Sequence, residues 1–310
     1  MGLQHGGPFD EDELWNFHDA YGACLQDLFI YSRNPDEYKD HLINIARGLR
    51  FDVLQHVLLS PDSGEISSLI TIVEPSLQSR RVWEKKLASQ GVFDILWNLY
   101  IKANIIEMER FYDLFQNSAA TASAAGWLFE SRMHQLLAAG MPIEIFRIGD
   151  RLAEVNVIYD KYQGTKGWVL QLPKSGQHLF NDGGTLNIGK YYLRPEKNFP
   201  AVDSLAYIQP EGETPILLMI QITRNHEKHG VNPEGLKRIN SLVLRSDSEA
   251  PVRKIYVVVT PRGIQPKITV PMSHFGDEVG NAKDIFPVFH CPIDRNILFP
   301  HSLHGQRPLT

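Results

Sequence analysis

Asp203 and Gln221 lie toward the ends of two apolar runs joined by a short turn, and that pairing is where the chain offers chemistry. The runs are Val202-Asp203-Ser204-Leu205-Ala206-Tyr207-Ile208 and Pro215-Ile216-Leu217-Leu218-Met219-Ile220-Gln221-Ile222-Thr223, with Gln209-Pro210-Glu211-Gly212-Glu213-Thr214 between them. In a hairpin turning at Gly212, residues whose numbers sum to 424 face each other, so Asp203 is expected opposite Gln221. Thr223 follows two residues later on the same face. The second run is apolar on both sides from Ile216 to Ile220, which predicts the middle of a covered sheet, where polar groups need partners. Upstream, Glu130 and His134 share one face of a helix predicted over 125–139 and can present a carboxylate to the sheet. Two carboxylates and an amide carbonyl are hard oxygen donors suited to Mg2+ or Mn2+. Such an ion polarises a phosphodiester and lowers the pKa of an attacking water.

The elements that must position these groups follow from periodicity. Helical spacing runs from Asp12 to about Gln116, with apolar residues at helix-like steps in Leu42, Ile45, Ala46, Leu49, Val53, Leu54 and Val57, and no strand alternation competes there. Arg80-Arg81-Val82-Trp83-Glu84-Lys85-Lys86 is expected to open a further helix, and the large apolar groups from Val92 to Phe115 are expected to pack as core. The small-residue stretch Asn117-Ser118-Ala119-Ala120-Thr121-Ala122-Ser123-Ala124 is the predicted boundary. The helix over 125–139 is stopped by Gly140 and Pro142. Strands are predicted at 143–148, 154–159, 168–172, 191–193, 202–208, 216–223 and 254–260, with a helix around 235–244 before the last. The expected organisation is an N-terminal segment 1–11 without order, a helical domain 12–120, an α/β domain 121–297 and a loose tail 298–310. The fold class is α+β or α/β, a mixed sheet flanked by helices.

Several phrases resemble one family. Ala125-Gly126-Trp127-Leu128-Phe129-Glu130, then Tyr192-Leu193-Arg194-Pro195 with Asn198-Phe199-Pro200-Ala201-Val202-Asp203, then Gln221-Ile222-Thr223 and His229, look in order and spacing like the C-terminal domain of crinkler and retrotransposon-hot-spot proteins. The resemblance covers about residues 124–239. It implies a restriction-endonuclease-like domain of the PD-(D/E)xK type, with an Asp on one strand, E-x-K or Q-x-K on the next and a Glu from the first helix. By that resemblance Glu130, Asp203, Gln221 and Thr223 stand at the catalytic positions, and Glu130, Asp203 and Gln221 would hold the metal. Thr223 departs from the pattern, because a hydroxyl replaces the charged amine of the usual lysine; Lys228 and Lys237 lie close enough in sequence to substitute. His229 stands as a phosphate contact or supporting residue, and Arg194, Lys197 and Lys254 as backbone-phosphate contacts or surface charges. The resemblance further implies nuclear action and effector or mobile-element biology. In that family an ATPase precedes the nuclease domain. Residues 12–116, including Ile66-Ser67-Ser68-Leu69-Ile70 and Ala88-Ser89-Gln90-Gly91-Val92, are similar to the helical region after its nucleotide site. No G-x-x-x-x-G-K-[ST] occurs here, so neither ATP hydrolysis nor a nucleotide cofactor is expected.

Each of these residues also has an ordinary reading: Asp203 as a strand-start residue, Gln221 satisfying strand-end backbone groups, Glu130 as a solvated helix position. Composition excludes some classes. The two cysteines, Cys24 and Cys291, have no metal-type spacing and suggest neither a disulfide scaffold nor a zinc site; His226 and His229 are three apart on a loop without a cysteine partner and are not read as a metal site. No basic leader and no long apolar run occurs, so an intracellular chain without a membrane span is expected. Net charge is −5; residues 1–124 carry 10 Lys+Arg against 18 Asp+Glu and the remainder 21 against 18. That mild positive excess permits DNA as a partner. Two functions stay open: a divalent-metal-dependent DNA hydrolase, or the same fold without catalysis, acting as an effector or interaction module.

Overall fold

The computed structural model describes residues 10–22, 25–48, 51–59, 69–75, 81, 83–101, 104–117, 121–149, 167–194, 199, 201–224, 228–230, 233–245, 251–264, 267–269 and 287–300. These fall into two compact units, one reaching Leu128 and the other beginning at Phe129. The division lies several residues past the predicted boundary, inside the helix that follows the small-residue stretch. Segments 1–9, 154–159 and 301–310, for which the sequence predicts an unordered start, a strand and most of a loose tail, lie outside the described residues.

The first unit contains α1 (Glu11–Tyr21), α2 (Leu25–Tyr31), α3 (Pro35–Gly48), α4 (Phe51–Leu59), β1 (Thr71–Pro75), β2 (Trp83–Leu87), α5 (Gln90–Leu96) with a π-helical turn over Trp97–Ile101, and α6 (Ile105–Gln116). Ser89 opens α5 by accepting the Val92 N–H at 3.1 Å, and Asn104 caps α6 through the Ile106 and Glu107 N–H groups. The core centres on fully buried Tyr38, with the rings of Phe17, Tyr21 and Tyr31 at 5.0, 5.1 and 5.2 Å. Leu42, Ala46, Leu54 and Val57 are buried as the helical spacing predicts, and so are Val92, Phe93, Leu96 and Phe115. One expectation is corrected. The segment read as a helix through Trp83 instead forms an antiparallel hairpin, Thr71 opposite Leu87 and Pro75 opposite Trp83. The β-branched run Thr71-Ile72-Val73 disfavours a helix and suits a pleated strand.

The second unit takes up the end of α7 (Ala122–Ala138), then β3 (Pro142–Gly149), β4 (Trp168–Gln171), β5 (Gln177–Leu179), β6 (Thr185–Asn187), β7 (Lys190–Leu193), β8 (Ser204–Ile208), β9 (Ile216–Ile222), β10 (Lys228–Gly230), α8 (Pro233–Asn240), β11 (Val243–Arg245), β12 (Arg253–Pro261), β13 (Lys267–Thr269), β14 (Val288–Ile293) and α9 (Arg295–Leu298). α7 ends where the sequence says it must. Gly140 takes φ +84°, the Met141 N–H reaches the Leu136 carbonyl and the Gly140 N–H the Leu137 carbonyl, satisfying the last turn. An eight-stranded mixed sheet follows in the order β4-β3-β14-β12-β9-β8-β7-β5, with two-stranded pairs β6 with β11 and β10 with β13 beside it.

β7, β8 and β9 form an antiparallel meander, and β12 lies parallel to β9 after the chain crosses over through α8. The hairpin register is the expected one, since Ser204 pairs with Ile220 and Ile208 with Ile216. Its turn closes with the Glu213 N–H on the Pro210 carbonyl and Gly212 at φ +73°, a conformation glycine takes without a Cβ penalty. β9 is buried on both faces between β8 and β12; Leu217, Leu218 and Ile220 are fully covered, each worth roughly 1.5–3 kcal/mol of burial. Among the described residues of this unit, six strands escape the sequence reading. β5, β6, β10, β11 and β13 are three residues each, and β14 contains Pro292, which demotes an apolar run in any pattern-based reading. Among the described residues no helix is long and apolar enough to cross a membrane.

Candidate functional site

Glu130, Asp203 and Gln221 come together in the second unit, and the backbone explains why. Leu193 pairs with Ser204, so the next step of the ladder sets Arg194 opposite Asp203, and the Arg194 N–H reaches the Asp203 carbonyl at 3.4 Å. On the other side Ser204 pairs with Ile220, which sets Gln221 opposite Asp203, and the Asp203 N–H donates to the Ile220 carbonyl at 2.9 Å. Asp203 therefore has a long polar side chain across each ladder. α7 supplies Glu130 from above.

The contacts are specific. Arg194 Nη1 donates to Asp203 Oδ1 at 2.7 Å and Nη2 to Glu130 Oε1 at 2.9 Å, so one guanidinium joins carboxylates from a helix and a strand. The second Asp203 oxygen accepts from Gln221 Nε2 and from the Ile222 backbone N–H, both at 2.7 Å. His134 Nε2 stands 3.6 Å from Glu130 Oε1, and its Nδ1 lies 2.6 Å from the Tyr191 hydroxyl, which reaches Ser204 Oγ at 2.9 Å. The side chain of Asp203 is 5% exposed against 19% for Arg194 and 20% for Glu130, so the cluster opens to solvent on the arginine and glutamate side.

Charge and burial act in opposition here. Burial, helped by the negative charge of Glu130, pushes the Asp203 carboxyl up to about 7 against the pull of Arg194, Ile222 N–H and Gln221. For Glu130 burial also pushes up, but the hydrogen bond from His134 and the charges of Arg194 and His134 outweigh it and hold the group below its ordinary value. Burial likewise raises the Tyr191 and Tyr256 hydroxyls.

The loop entering β8 carries a second constraint. Ala201 has φ +99°, a left-handed backbone unusual for a residue with a Cβ, and the buried Tyr256 hydroxyl holds its carbonyl at 2.7 Å. This turn aims Asp203 inward. Ala201→Gly is expected to be neutral or to gain up to about 1 kcal/mol in urea unfolding, whereas Ala206→Gly, in the middle of β8, is expected to cost about 1 kcal/mol. Equal losses at both positions would show that the Ala201 conformation stores no strain.

The remaining sequence-designated residues are distributed as follows. Thr223 is buried directly after β9, its N–H on the Val259 carbonyl, so a hydroxyl stands where the resemblance asks for an amine. Lys254 pairs with Leu217 while Gln221 pairs with Val258, which puts Lys254 four residues, about 13 Å, down the strand from the cluster; its Nζ donates to Asn240. Lys237 is exposed on α8, 4.0 Å from Glu234. The side chains of Lys228 and His229, on β10, and the whole of Lys197 lie outside the described residues. Among the described residues, no group of three or more His, Cys, Asp and Glu is arranged to hold a metal ion.

The expected oxygen set does not fit a divalent ion as it stands. Gln221 turns its N–H, not its carbonyl, toward Asp203, and a guanidinium lies between the two carboxylates. Sequence reasoning placed Arg194 as a phosphate contact and missed this bridging position; continuing the antiparallel register from β7 into β8 was the available signal. Tyr191 and Ser204 carried none, being indistinguishable from core strand residues. Comparison with known proteins adds no relative: no family model matches the chain, and no curated protein or solved structure matches it significantly.

Proposed function

We propose that the second unit is a nuclease-like, nucleic-acid-binding domain of the crinkler and retrotransposon-hot-spot type that holds DNA without cutting it. One observation carries the reading: a Glu from the preceding helix, an Asp at the start of one strand and a Gln on the next converge within hydrogen-bond distance of one another or of a shared arginine. That is the order and placement the resemblance requires of a restriction-endonuclease-like centre. The excess of Lys and Arg from residue 125 onward, 21 against 18, is compatible with a polyanionic partner. Cleavage is not expected, because the position of the usual lysine is Thr223 and the carboxylates are engaged by Arg194. The test combines binding of a short labelled DNA duplex at low and high salt with a plasmid-nicking assay in Mg2+ and in Mn2+. Salt-sensitive binding with no nicking by wild type, Asp203→Ala or Gln221→Ala is the expected result. Nicking by wild type that a folded Asp203→Asn variant abolishes would establish hydrolysis instead, and absence of duplex binding at low salt would remove the DNA reading.

A further inference from the structure

We infer that Arg194 is the resident cation of this centre: its guanidinium takes the place of a divalent ion between Glu130 and Asp203, and removing it creates a divalent-cation site. The inference stands on the geometry of the cluster and is independent of whether the domain binds DNA.

Three features lead to it. The two carboxylates come from elements far apart in sequence and are joined through a single group, Arg194, at 2.7 and 2.9 Å. The register of β7 on β8 fixes that group, since Arg194 stands directly across the ladder from Asp203. The cation is therefore delivered by the backbone and does not depend on a chance surface rotamer. Finally, the two carboxylates share the charge of this one guanidinium. Without the guanidinium, Glu130 and Asp203 would face each other partly buried with no positive charge bonded to either, apart from His134 beside Glu130 when protonated.

With the guanidinium present, a second cation would have to enter next to a full positive charge at contact distance, in surroundings drier than bulk water, where like charges repel strongly. Asp203 Oδ2 is already committed to two N–H donors. Wild-type protein is thus closed to Mg2+ and Mn2+ at this position. Once the guanidinium is gone, Asp203 Oδ1 and Glu130 Oε1 lose their shared donor and can ligate an ion, and the Gln221 amide can turn its carbonyl inward to complete a hard-oxygen set.

The experiment compares wild type, Arg194→Gln, Arg194→Lys and the double variant Arg194→Gln with Asp203→Asn, by thermal melting with and without millimolar MnCl2 and by direct Mn2+ titration. Wild type and Arg194→Lys should melt at a temperature that Mn2+ does not change and should bind no stoichiometric ion. Arg194→Gln should melt roughly 5–10 °C lower and recover most of that loss in Mn2+, with one ion bound per chain. The double variant should not respond. Recovery of folded Arg194→Gln only when Mn2+ is present supports the inference equally. Three results overturn it: one Mn2+ per wild-type chain that Asp203→Asn removes, a folded Arg194→Gln that neither binds Mn2+ nor is stabilised by it, or an Arg194→Gln that stays unfolded in Mn2+.

Discussion

Asp203→Ala is expected to destabilise the second unit by roughly 3–5 kcal/mol, measured by urea unfolding. The size follows from what the carboxylate holds. It accepts from Arg194 Nη1, Gln221 Nε2 and the Ile222 N–H, all at 2.7 Å, while 5% exposed. Alanine leaves a partly buried guanidinium attached to Glu130 alone, an amide without its acceptor and a buried backbone N–H without a partner. Asp203→Asn should lose less but not recover the whole. All three neighbours are donors, and one end of an asparagine amide must then meet a donor with a donor. If alanine costs under about 1 kcal/mol, the cluster is not the structural junction described above.

Stability is expected to fall as pH rises from about 5.5 to 7.5, by roughly 2 kcal/mol and with little further loss above that, and Glu130→Gln should shift the loss to lower pH. The folded Asp203 carboxyl titrates at about 7, above its ordinary 3.8. A group raised on folding binds its proton more tightly in the native state, so its contribution is complete below the unfolded value and is lost as pH climbs through the folded one. The groups that face it are Arg194, Glu130, Gln221 and the hydroxyls of Tyr191 and Tyr256, and of these Glu130 is the anion that raises it. Burial is the larger cause and stays in place, so neutralising Glu130 lowers the Asp203 value part of the way and moves the loss to lower pH. Melting temperatures across that window decide the matter. A loss centred at the same pH in Glu130→Gln as in wild type would place the titration elsewhere.

The elements around the cluster were largely legible because their signals are local. Turn chemistry at Gly212 sets the register of β8 on β9, and that register places Gln221 across from Asp203. Gly140 marks the end of α7 through its own backbone conformation. What stayed hidden is non-local. The role of Arg194 depends on which oxygens its fork reaches, and a single sequence shows a basic residue near an acidic one without saying that α7 brings a third partner. The hairpin at Thr71–Pro75 and Trp83–Leu87 was lost because amphipathic helices on either side suggested that the period continued through it. β14 was lost to Pro292, which sits opposite Thr260 in a parallel pair where a proline is rarely expected.

The position of β14 in the sheet also bears on how the chain is made. β3 has β4 on one side and β14 on the other, and β14 is the last strand of the described chain. During synthesis the β3–β4 pair emerges before the other described strands of the sheet, whereas the strand that joins it to β12 emerges after all of them. Until then the buried faces of β3 and of β12 each keep an open edge, and such edges template pairing with other chains. The last link of the sheet is thus one of its longest-range contacts, a topology that slows folding and lengthens the interval in which a nascent chain needs protection.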